Sequence, residues 1–340
     1  KITNRNKKCV TLNLGKPEGQ EIFKKLIADA DVLTENFRPG TLEKWGIGWD
    51  VLHAINPRLI FVRVSGFGQT GPYKDKPGFG TLAEAMSGFA YITGQPDGPP
   101  TLPGTGLADA VAGQLGTWAT MFALYERDHK SGKGQYIDLS VLEPLFTILG
   151  DQAITYDQLG SVQQRTGNRV PSIGAPRNIY KTKDERWLAL SANAPAIATR
   201  VFAAIGQPEL INDPRFKDNR ARVANIDEVD AIVGGWIAQH TAEEALKKFD
   251  EFECACAPVY SIADIFADPH FQAREAVTTV QDPELGPVRM QNVFPKLSRT
   301  PGKIRWPGPT RMGQHNEEIY CGKLGMSKEQ LAMLKEQEII

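Results

Sequence analysis

The sequence has few of the features that mark several common protein classes. Its 340 residues include only four cysteines, without paired CxxC spacing, and these predict buried free thiols in a reducing cytoplasm. Five scattered histidines show no metal-ligand pairing, so we predict no metal site. No apolar run reaches the length of a membrane span and no signal peptide is visible, so we predict a cytoplasmic protein with no membrane partner.

Charge and motif content exclude further classes. The chain carries 39 Lys and Arg against 40 Asp and Glu, a net charge of −1, whereas nucleic-acid binders normally have a strongly basic face. We therefore predict no nucleic-acid partner. The motifs GxxxxGK[ST], GxSxG and HExxH are absent. The stretch GFGQTG at residues 66–71 resembles a phosphate cradle but lacks the full fingerprint, and an ordinary turn explains it equally well.

The apolar patterning predicts an α/β fold. Strand signals alternate with helix signals through the first half of the chain, a rhythm typical of a doubly wound, mostly parallel, Rossmann-like sheet. We assign this sheet to a large domain at residues 1–178 plus 276–340, and a smaller α+β domain to residues 179–275. The main predicted elements are strands at 9–14, 31–37, 59–68 and 135–141, helices at 17–30 and 107–128, and a hairpin at 179–192.

Two segments follow the carboxyl ends of predicted parallel strands. Asn36–Gly40 follows the strand at 31–37, and Ser65–Gly71 ends the strand at 59–68. Because ligands of open α/β sheets bind beyond the carboxyl ends of the strands, these segments are candidate binding loops.

The string PGTGLADAVAGQLG places Asp109 among small residues at the start of a long apolar helix. Pro103, Gly104 and Gly106 leave room for a ligand, and the alanines on either side put no bulk beside the carboxylate. A helix N-terminus favours negative charge, so Asp109 should stay ionised, as a carboxylate nucleophile must. Simple capping of the helix is the structural alternative.

An ordered set of motifs covering nearly the whole chain resembles family III CoA-transferases, also called the CaiB/BaiF type. The motifs are NRNKK (4–8), DVLTENFRPGTLEKWGI (31–47), NPRLIFVRVSGFGQTGP (56–72), TLAEAMSG (81–88), the Asp109 block, SGKGQYIDLSVLE (131–143), CAPVYSIADIFADPHF (256–271) and GQH (313–315). Members of this family usually carry several dozen residues before this point, which hold the first strand and part of the CoA site. The resemblance therefore implies that a usual N-terminal segment is missing from this chain.

The resemblance implies a CoA-transferase with Asp109 as its nucleophile. CoA would move from an acyl-CoA donor to a free carboxylic acid through aspartyl–acyl anhydride and aspartyl-CoA thioester intermediates. Acyl-CoA is then a substrate, and no permanently bound cofactor is expected. The resemblance also implies an interlocked homodimer.

The same resemblance places a CoA groove along Asn36, Phe37, Thr41, Lys44 and Trp45. Lys44 is suited to a phosphate, and Phe37 or Trp45 to stacking on adenine. Core packing of the two aromatic residues and a solvated Lys44 are the structural alternatives. The further phosphate candidates are Arg38 and Arg63.

Glu84 lies where relatives often carry Gln or another polar residue, and we predict either an orienting role near the nucleophile or a structural one. Two nearby carboxylates do not both ionise readily, which favours a polar orienter over a second base. The cluster Arg165, Arg169 and Arg177 is a candidate site for the second carboxylate of a dicarboxylic acceptor, with ordinary surface arginines as the alternative. Some relatives carry a mobile glycine lid, whereas residues 169–178 here contain only Gly174, so the resemblance gives little support to a lid.

Two other functions compete with CoA transfer. An α-methylacyl-CoA racemase would share the fold and the aspartate, but this chain has Phe79 where such racemases carry a histidine base. Phenylalanine cannot carry a proton, so two-base chemistry lacks a partner. A non-catalytic acyl-CoA-binding subunit is the third reading, and the intact Asp109 block argues against it.

Overall fold

The computed structural model describes residues Lys1–Ile340. Its strands are β1 (Val32–Glu35), β2 (Ile60–Ser65), β3 (Tyr136–Ser140), β4 (Arg177–Lys181), β5 (Trp187–Ser191), β6 (Cys256–Pro258), β7 (Val277–Asp282) and β8 (Gly286–Gln291). Its helices are α1 (Pro17–Ile27), α2 (Thr41–Lys44), α3 (Trp49–Ile55), α4 (Gly80–Met86), α5 (Phe89–Ile92), α6 (Leu107–Glu126), α7 (Leu142–Thr147), α8 (Gln152–Leu159), α9 (Pro195–Ala204), α10 (Asn219–Ala224), α11 (Ile226–Ile237), α12 (Ala242–Glu251), α13 (Ile262–Ala267), α14 (Pro269–Ala273) and α15 (Lys328–Glu336). Short 3₁₀ or π turns occur at Ile2–Asn4, Arg127–Ser131, Pro208–Asn212 and Glu317–Lys323.

The chain divides into two compact units. Unit 1 contains Lys1–Phe89, Leu102–Gly160 and Asp268–Ile340, and unit 2 contains Ala90–Thr101 and Ser161–Ala267. The mixed α/β fold class predicted from the sequence is confirmed, with one parallel sheet and two antiparallel ones. The domain boundaries drawn from the sequence at 178/179 and 275/276 stay a prediction.

The parallel sheet of unit 1 has the order β1–β2–β3. Its central strand β2 begins with the run Ile60–Phe61–Val62, which is buried on both faces as in a parallel sheet covered by helices. Phe61 packs with residues of α1, α2 and α3 on one face, whereas Ile60 and Val62 pack against Ala123 of α6 on the other. The sheet therefore lies between two helical layers, and its carboxyl edge ends at Glu35, Ser65 and Ser140.

The predicted strand at residues 9–14 is wrong. This segment is extended, but its backbone groups bond to the C-terminal part of the chain and not to a sheet. Cys9 and His315 exchange hydrogen bonds, the Thr11 N–H donates to the Asn316 side chain, and the Asn13 N–H donates to the Ile339 carbonyl. An alternating apolar pattern predicts an extended, half-buried backbone, and here helix termini and side chains supply the partners.

Unit 2 contains an antiparallel sheet of order β4–β5–β6, and the predicted hairpin turns at Asp184–Glu185, where Glu185 has φ of 63°. Side chains from one face of this sheet join a core with α9, α11 and α12. The hairpin β7–β8 belongs to unit 1. Among the helices, none combines the length and the hydropathy that a membrane crossing requires.

Candidate active site

Asp109 lies in the first turn of α6, the longest helix of the chain. The helix begins at Leu107, after Gly106. Gly106 is the N-cap residue and makes no side-chain capping hydrogen bond, and a run of helix-forming residues follows it. The Asp109 side chain is exposed beside the positive end of the α6 helix dipole. The structure thus presents an accessible carboxylate.

Glycines border this carboxylate on two sides. A Cβ atom added to Gly80, the first residue of α4, would lie 2.9 Å from Oδ2, 3.2 Å from Cγ and 3.3 Å from Oδ1 of Asp109. A Cβ atom at Gly106 would lie 3.5 Å from Oδ2. The carboxylate therefore rests directly against the backbone of α4.

Glu84 lies one turn after Gly80 on α4 and is buried. Its Oε1 accepts a hydrogen bond of 3.2 Å from the backbone N–H of Ala108, the residue before Asp109. That N–H is one of the donors that the first turn of a helix leaves without an intrahelical partner. Glu84 thus holds the start of α6, and this is the contact through which an orienting role would act.

A groove of about 430 Å³ opens beside Asp109. It is lined by Val32, Thr34, Val62, Val64, Asp109, Ala112, Gly113, Gly116, Thr117, Thr120, Met121, Leu139 and Val141. The groove lies between α6 and the sheet face formed by β1, β2 and β3. Its volume is in the range of small-molecule sites. Thr34, which lines it, is two residues before Asn36, the start of the predicted CoA-binding segment.

The predicted CoA-binding segment forms the loop after β1 and the short helix α2. Asn36, Phe37, Arg38 and Lys44 are exposed, whereas Thr41 is half-buried. Phe37 and Trp45, which is also half-buried, pack edge to face with ring centroids 5.3 Å apart. The structure therefore brings the two predicted aromatic residues together. The sharp turn into α2 passes through Gly40 at φ of 83°, a conformation that favours glycine.

Lys44 lines a second pocket of about 620 Å³ in unit 1. Lys74 shares this pocket with Lys44, as do the aromatic residues Trp49 and Tyr136, which pack edge to face at 5.6 Å. Asp50 and Asp75 also line it. Lys74 cannot be identified from the sequence, because its proximity to Lys44 depends on the folded loops and not on spacing.

Arg63 is engaged and is not available as a free phosphate ligand. Its Nε donates to Glu35 at 3.0 Å, and its two Nη atoms donate to the Glu43 carboxylate at 2.7 and 3.1 Å. Glu35 also accepts the backbone N–H of Phe37 at 2.7 Å. The hydrogen bonds of these residues therefore fix the geometry at the start of the predicted CoA-binding segment. We do not retain Arg63 as a phosphate candidate.

The three arginines of the predicted acceptor cluster lie in unit 2 and have different environments. Arg169 is held by Asp227 at 2.6 Å and by the buried Asp230 at 2.7 Å, so its charge is already neutralised. Arg177 donates to the Asn168 carbonyl. Arg165 donates through one Nη to the Tyr91 carbonyl at 3.0 Å, while its Nε is buried without a hydrogen-bond partner.

The structure also shows the surroundings of Phe79 and Gly174, two residues that the sequence motifs single out. Phe79, at the position of the racemase histidine, precedes α4 and is 74% exposed. Gly174, the one glycine of residues 169–178, has φ of 147° and is packed against Asn193 and Asn219. The Ala175 N–H that follows it donates to the Asn219 side chain, so this part of the loop is hydrogen-bonded to α10.

Comparison with known families gives one match that covers most of the chain. A family model described as CoA-transferase family III matches residues 1–316. A succinyl-CoA–D-citramalate CoA-transferase of Chloroflexus aurantiacus is 45% identical over 339 residues, which are 100% of this chain and 84% of that protein. A succinate–glutarate CoA-transferase of Agrobacterium fabrum is 32% identical over 93% of this chain and 78% of that protein.

The fold also resembles a solved structure. A CaiB/BaiF family protein from Brucella suis superposes with a TM-score of 0.82 and 31% sequence identity. The match covers 94% of this chain and 82% of the Brucella chain. Sequence and fold therefore point to the same group of proteins.

Proposed function

Because this chain belongs to CoA-transferase family III, we propose that it moves CoA from an acyl-CoA donor to a free carboxylic acid with Asp109 as the covalent nucleophile. That the chain is a CoA-transferase acting on CoA thioesters follows from the family and from relatives at 43–45% identity. The identity of the nucleophile is supported by one observation above the others. Asp109 is an exposed carboxylate at a helix N-terminus, packed against glycine and lining a groove of ligand size.

The proposed reaction needs a carboxylate and no external electron or proton donor. An oxygen of Asp109 attacks the thioester carbon of the donor, the C–S bond breaks, and CoA leaves as a thiolate. The thiolate then attacks the aspartyl carbonyl of the anhydride, and the donor acid departs with the bridging oxygen, leaving an aspartyl-CoA thioester.

The second half reverses these steps with the acceptor. The acceptor carboxylate attacks the aspartyl thioester, and the C–S bond breaks to give a second anhydride and CoA thiolate. The thiolate attacks the acyl carbon of the acceptor, forming the new acyl-CoA. Asp109 is released as a carboxylate that carries one oxygen from the acceptor. Each exchange is thereby divided into steps with good leaving groups.

Glu84 is proposed to orient the nucleophile and not to react. Its carboxyl group bonds to the Ala108 N–H and lies in a buried position behind the first turn of α6. Fixing that turn fixes the backbone from which Asp109 projects. A preorganised nucleophile is worth more to the rate than a mobile one, because its positioning cost is met during folding.

We propose that CoA binds along Asn36, Phe37, Arg38, Thr41, Lys44 and Trp45. Support comes from the position of this segment at the carboxyl end of β1, where open α/β sheets bind ligands. The neighbouring lysines Lys44 and Lys74 line one pocket and offer two positive charges to the phosphates of CoA.

The proposed substrates are succinyl-CoA as donor and a small dicarboxylic acid as acceptor. The names of the relatives quoted above contain succinyl-CoA or succinate with citramalate or glutarate. Among the three arginines, Arg165 is the strongest candidate for the distal carboxylate, because its Nε lacks a partner, whereas Arg169 is paired with two aspartates. Arg177 is the second candidate.

We further propose an interlocked homodimer in the cytoplasm. Trp118, Met121, Phe122 and Tyr125 follow helical spacing, so they form one face of α6, and each is more than half exposed. Ile154 and Leu159 of α8 are exposed as well. Contiguous exposed apolar residues of this size usually mark an interface, and a second copy of the chain would cover them. The cytoplasmic location rests on the four free cysteines.

The experiment that tests the proposed function is a transfer assay read by mass spectrometry. The wild type and Asp109→Asn are each incubated with succinyl-CoA and one acceptor acid, in turn malate, citramalate and glutarate, which are analogues of succinate. The masses of new acyl-CoA products are recorded for both proteins. We expect transfer to at least one dicarboxylic acid by the wild type and none by the variant. Transfer at a similar rate by both proteins would remove Asp109 from the mechanism.

A further inference from the structure

Neither the position of Gly80 in α4 nor its backbone conformation requires a glycine. It is the first residue of α4, where glycine is a poor helix former and no positive φ requires it. Its neighbour in space is the Asp109 carboxylate, all three of whose terminal atoms would lie within 3.3 Å of a Cβ atom. Even the smallest L side chain would therefore overlap the proposed nucleophile.

The backbone of α4 cannot easily move away to make room. Ala83 on the next turn is 2% exposed and packs with Ala108 and Ala112 of α6, and Glu84 bonds to the Ala108 N–H. Both α4 and the start of α6 are thus locked together. Close-packed interiors resist such shifts, so an added methyl group would be relieved by movement of the exposed Asp109 side chain.

We propose that Gly80 is a positioning residue whose missing side chain fixes the reactive orientation of the Asp109 carboxylate. This inference rests on the proposed role of Asp109. The bare Cα of Gly80 lets the carboxylate lie directly against the start of α4, and Asp109 also lines the groove in which the thioester would bind. A methyl group at Gly80 would drive the carboxylate into another staggered rotamer, away from that geometry. A misplacement of about 1 Å can lower a rate by about 10²-fold.

Three glycine-to-alanine variants make a graded test. Gly80→Ala adds a Cβ at 2.9 Å from Oδ2, and Gly106→Ala adds one at 3.5 Å, an ordinary van der Waals distance. Gly235→Ala, in α11 of unit 2, adds a Cβ with no atom within 4 Å and serves as the matched control. For each variant, kcat, the KM for acyl-CoA and the melting temperature are measured with the full chain.

We expect Gly80→Ala to lower kcat by about 10²-fold while the KM for acyl-CoA and the melting temperature stay close to those of the control. Gly106→Ala should lower kcat by less, and Gly235→Ala should leave it unchanged. A Gly80→Ala kcat within about threefold of the control would overturn the inference, since a rate loss of about 10²-fold is expected. A rate loss accompanied by an equal loss of folded protein would also overturn it.

Failure of the proposed function would look different. In that case the wild type would transfer no CoA, or Asp109→Asn would transfer it as well as the wild type, and the inference about Gly80 would fall with it. An active wild type, an inactive Asp109→Asn and an unaffected Gly80→Ala would reject only the positioning role.

Discussion

Replacing Arg63 with methionine should destabilise the protein far more than removing a surface arginine. The Arg63 side chain is 10% exposed and forms ion pairs with both Glu35 and Glu43. The side chain of Glu35 is 4% exposed, whereas that of Glu43 is 45% exposed. Arg63→Met keeps most of the volume but leaves the Glu35 carboxylate buried without its cation. Breaking a buried ion pair in this way costs about 3–5 kcal/mol, so we expect a decrease of that size in the free energy of unfolding.

Urea unfolding at neutral pH measures this loss, and Arg215→Met is the matched control. Arg215 also binds two carboxylates, Asp213 and Glu228, but its side chain is 51% exposed, and exposed ion pairs contribute little to stability. Adding Glu35→Gln to Arg63→Met should restore part of the stability, because a neutral amide is cheaper to bury than a charge. A similar decrease in the free energy of unfolding for Arg63→Met and Arg215→Met would refute this prediction.

The stabilising effect of Arg63 should also depend on pH. Burial by itself raises the pKa of the Glu43 carboxyl, but the hydrogen bonds and positive charge of Arg63 outweigh it and leave the pKa below its usual value. Such a group stabilises the folded state fully above its unfolded pKa of about 4.3 and less as the pH falls through its lower folded pKa. The difference between wild type and Arg63→Met should therefore shrink in acid.

Three further predictions concern substrate binding and assembly. Lys44→Glu should raise the dissociation constant of CoA at low salt, because it reverses a charge at the proposed phosphate site. Titration calorimetry measures this constant, and an unchanged value would show that Lys44 does not contact the phosphates. Phe122→Asp should shift a wild-type dimer toward monomer in sedimentation velocity, because it places a charge on the apolar face of α6, and an active wild-type monomer at micromolar concentration would disprove the dimer. Arg165→Ala should reduce the preference for glutarate over butyrate as acceptor, and equal use of both acids by the wild type would reject a dicarboxylate site.

Much of the fold could be predicted because its signals are local. The buried run at Ile60–Val62 indicates a central parallel strand, since both faces of such a strand are covered by helices. The turn at Asp184–Glu185 is typical of a hairpin, and the structure has one there. Residues 9–14 show where local signals stop, because an apolar extended segment does not reveal whether a sheet or the C-terminal helices will provide its partners.

Some residues of the candidate site could likewise be predicted from the local sequence, and others could not. Asp109 could be proposed from the sequence because its small neighbours are adjacent in the chain and match the family motif. From spacing alone, Arg63 and Arg169 are candidates for binding a ligand or are ordinary surface arginines, because their carboxylate partners lie 20 to 61 residues away. Gly80 cannot be identified from the sequence, because only the packing of α4 on α6 brings it to Asp109. Ion pairing and close packing are tertiary properties that residue spacing does not encode.

The most direct measurement of the central claim follows oxygen from the acceptor into Asp109. The wild type is incubated with an acyl-CoA donor and an acceptor acid whose carboxylate oxygens are ¹⁸O, and the peptide containing Asp109 is then analysed by mass spectrometry. If Asp109 forms the anhydride and thioester intermediates, that peptide gains ¹⁸O at the Asp109 side chain with turnover, because the released carboxylate keeps the bridging oxygen. Complete transfer of CoA with no ¹⁸O at Asp109 would contradict covalent catalysis by this residue.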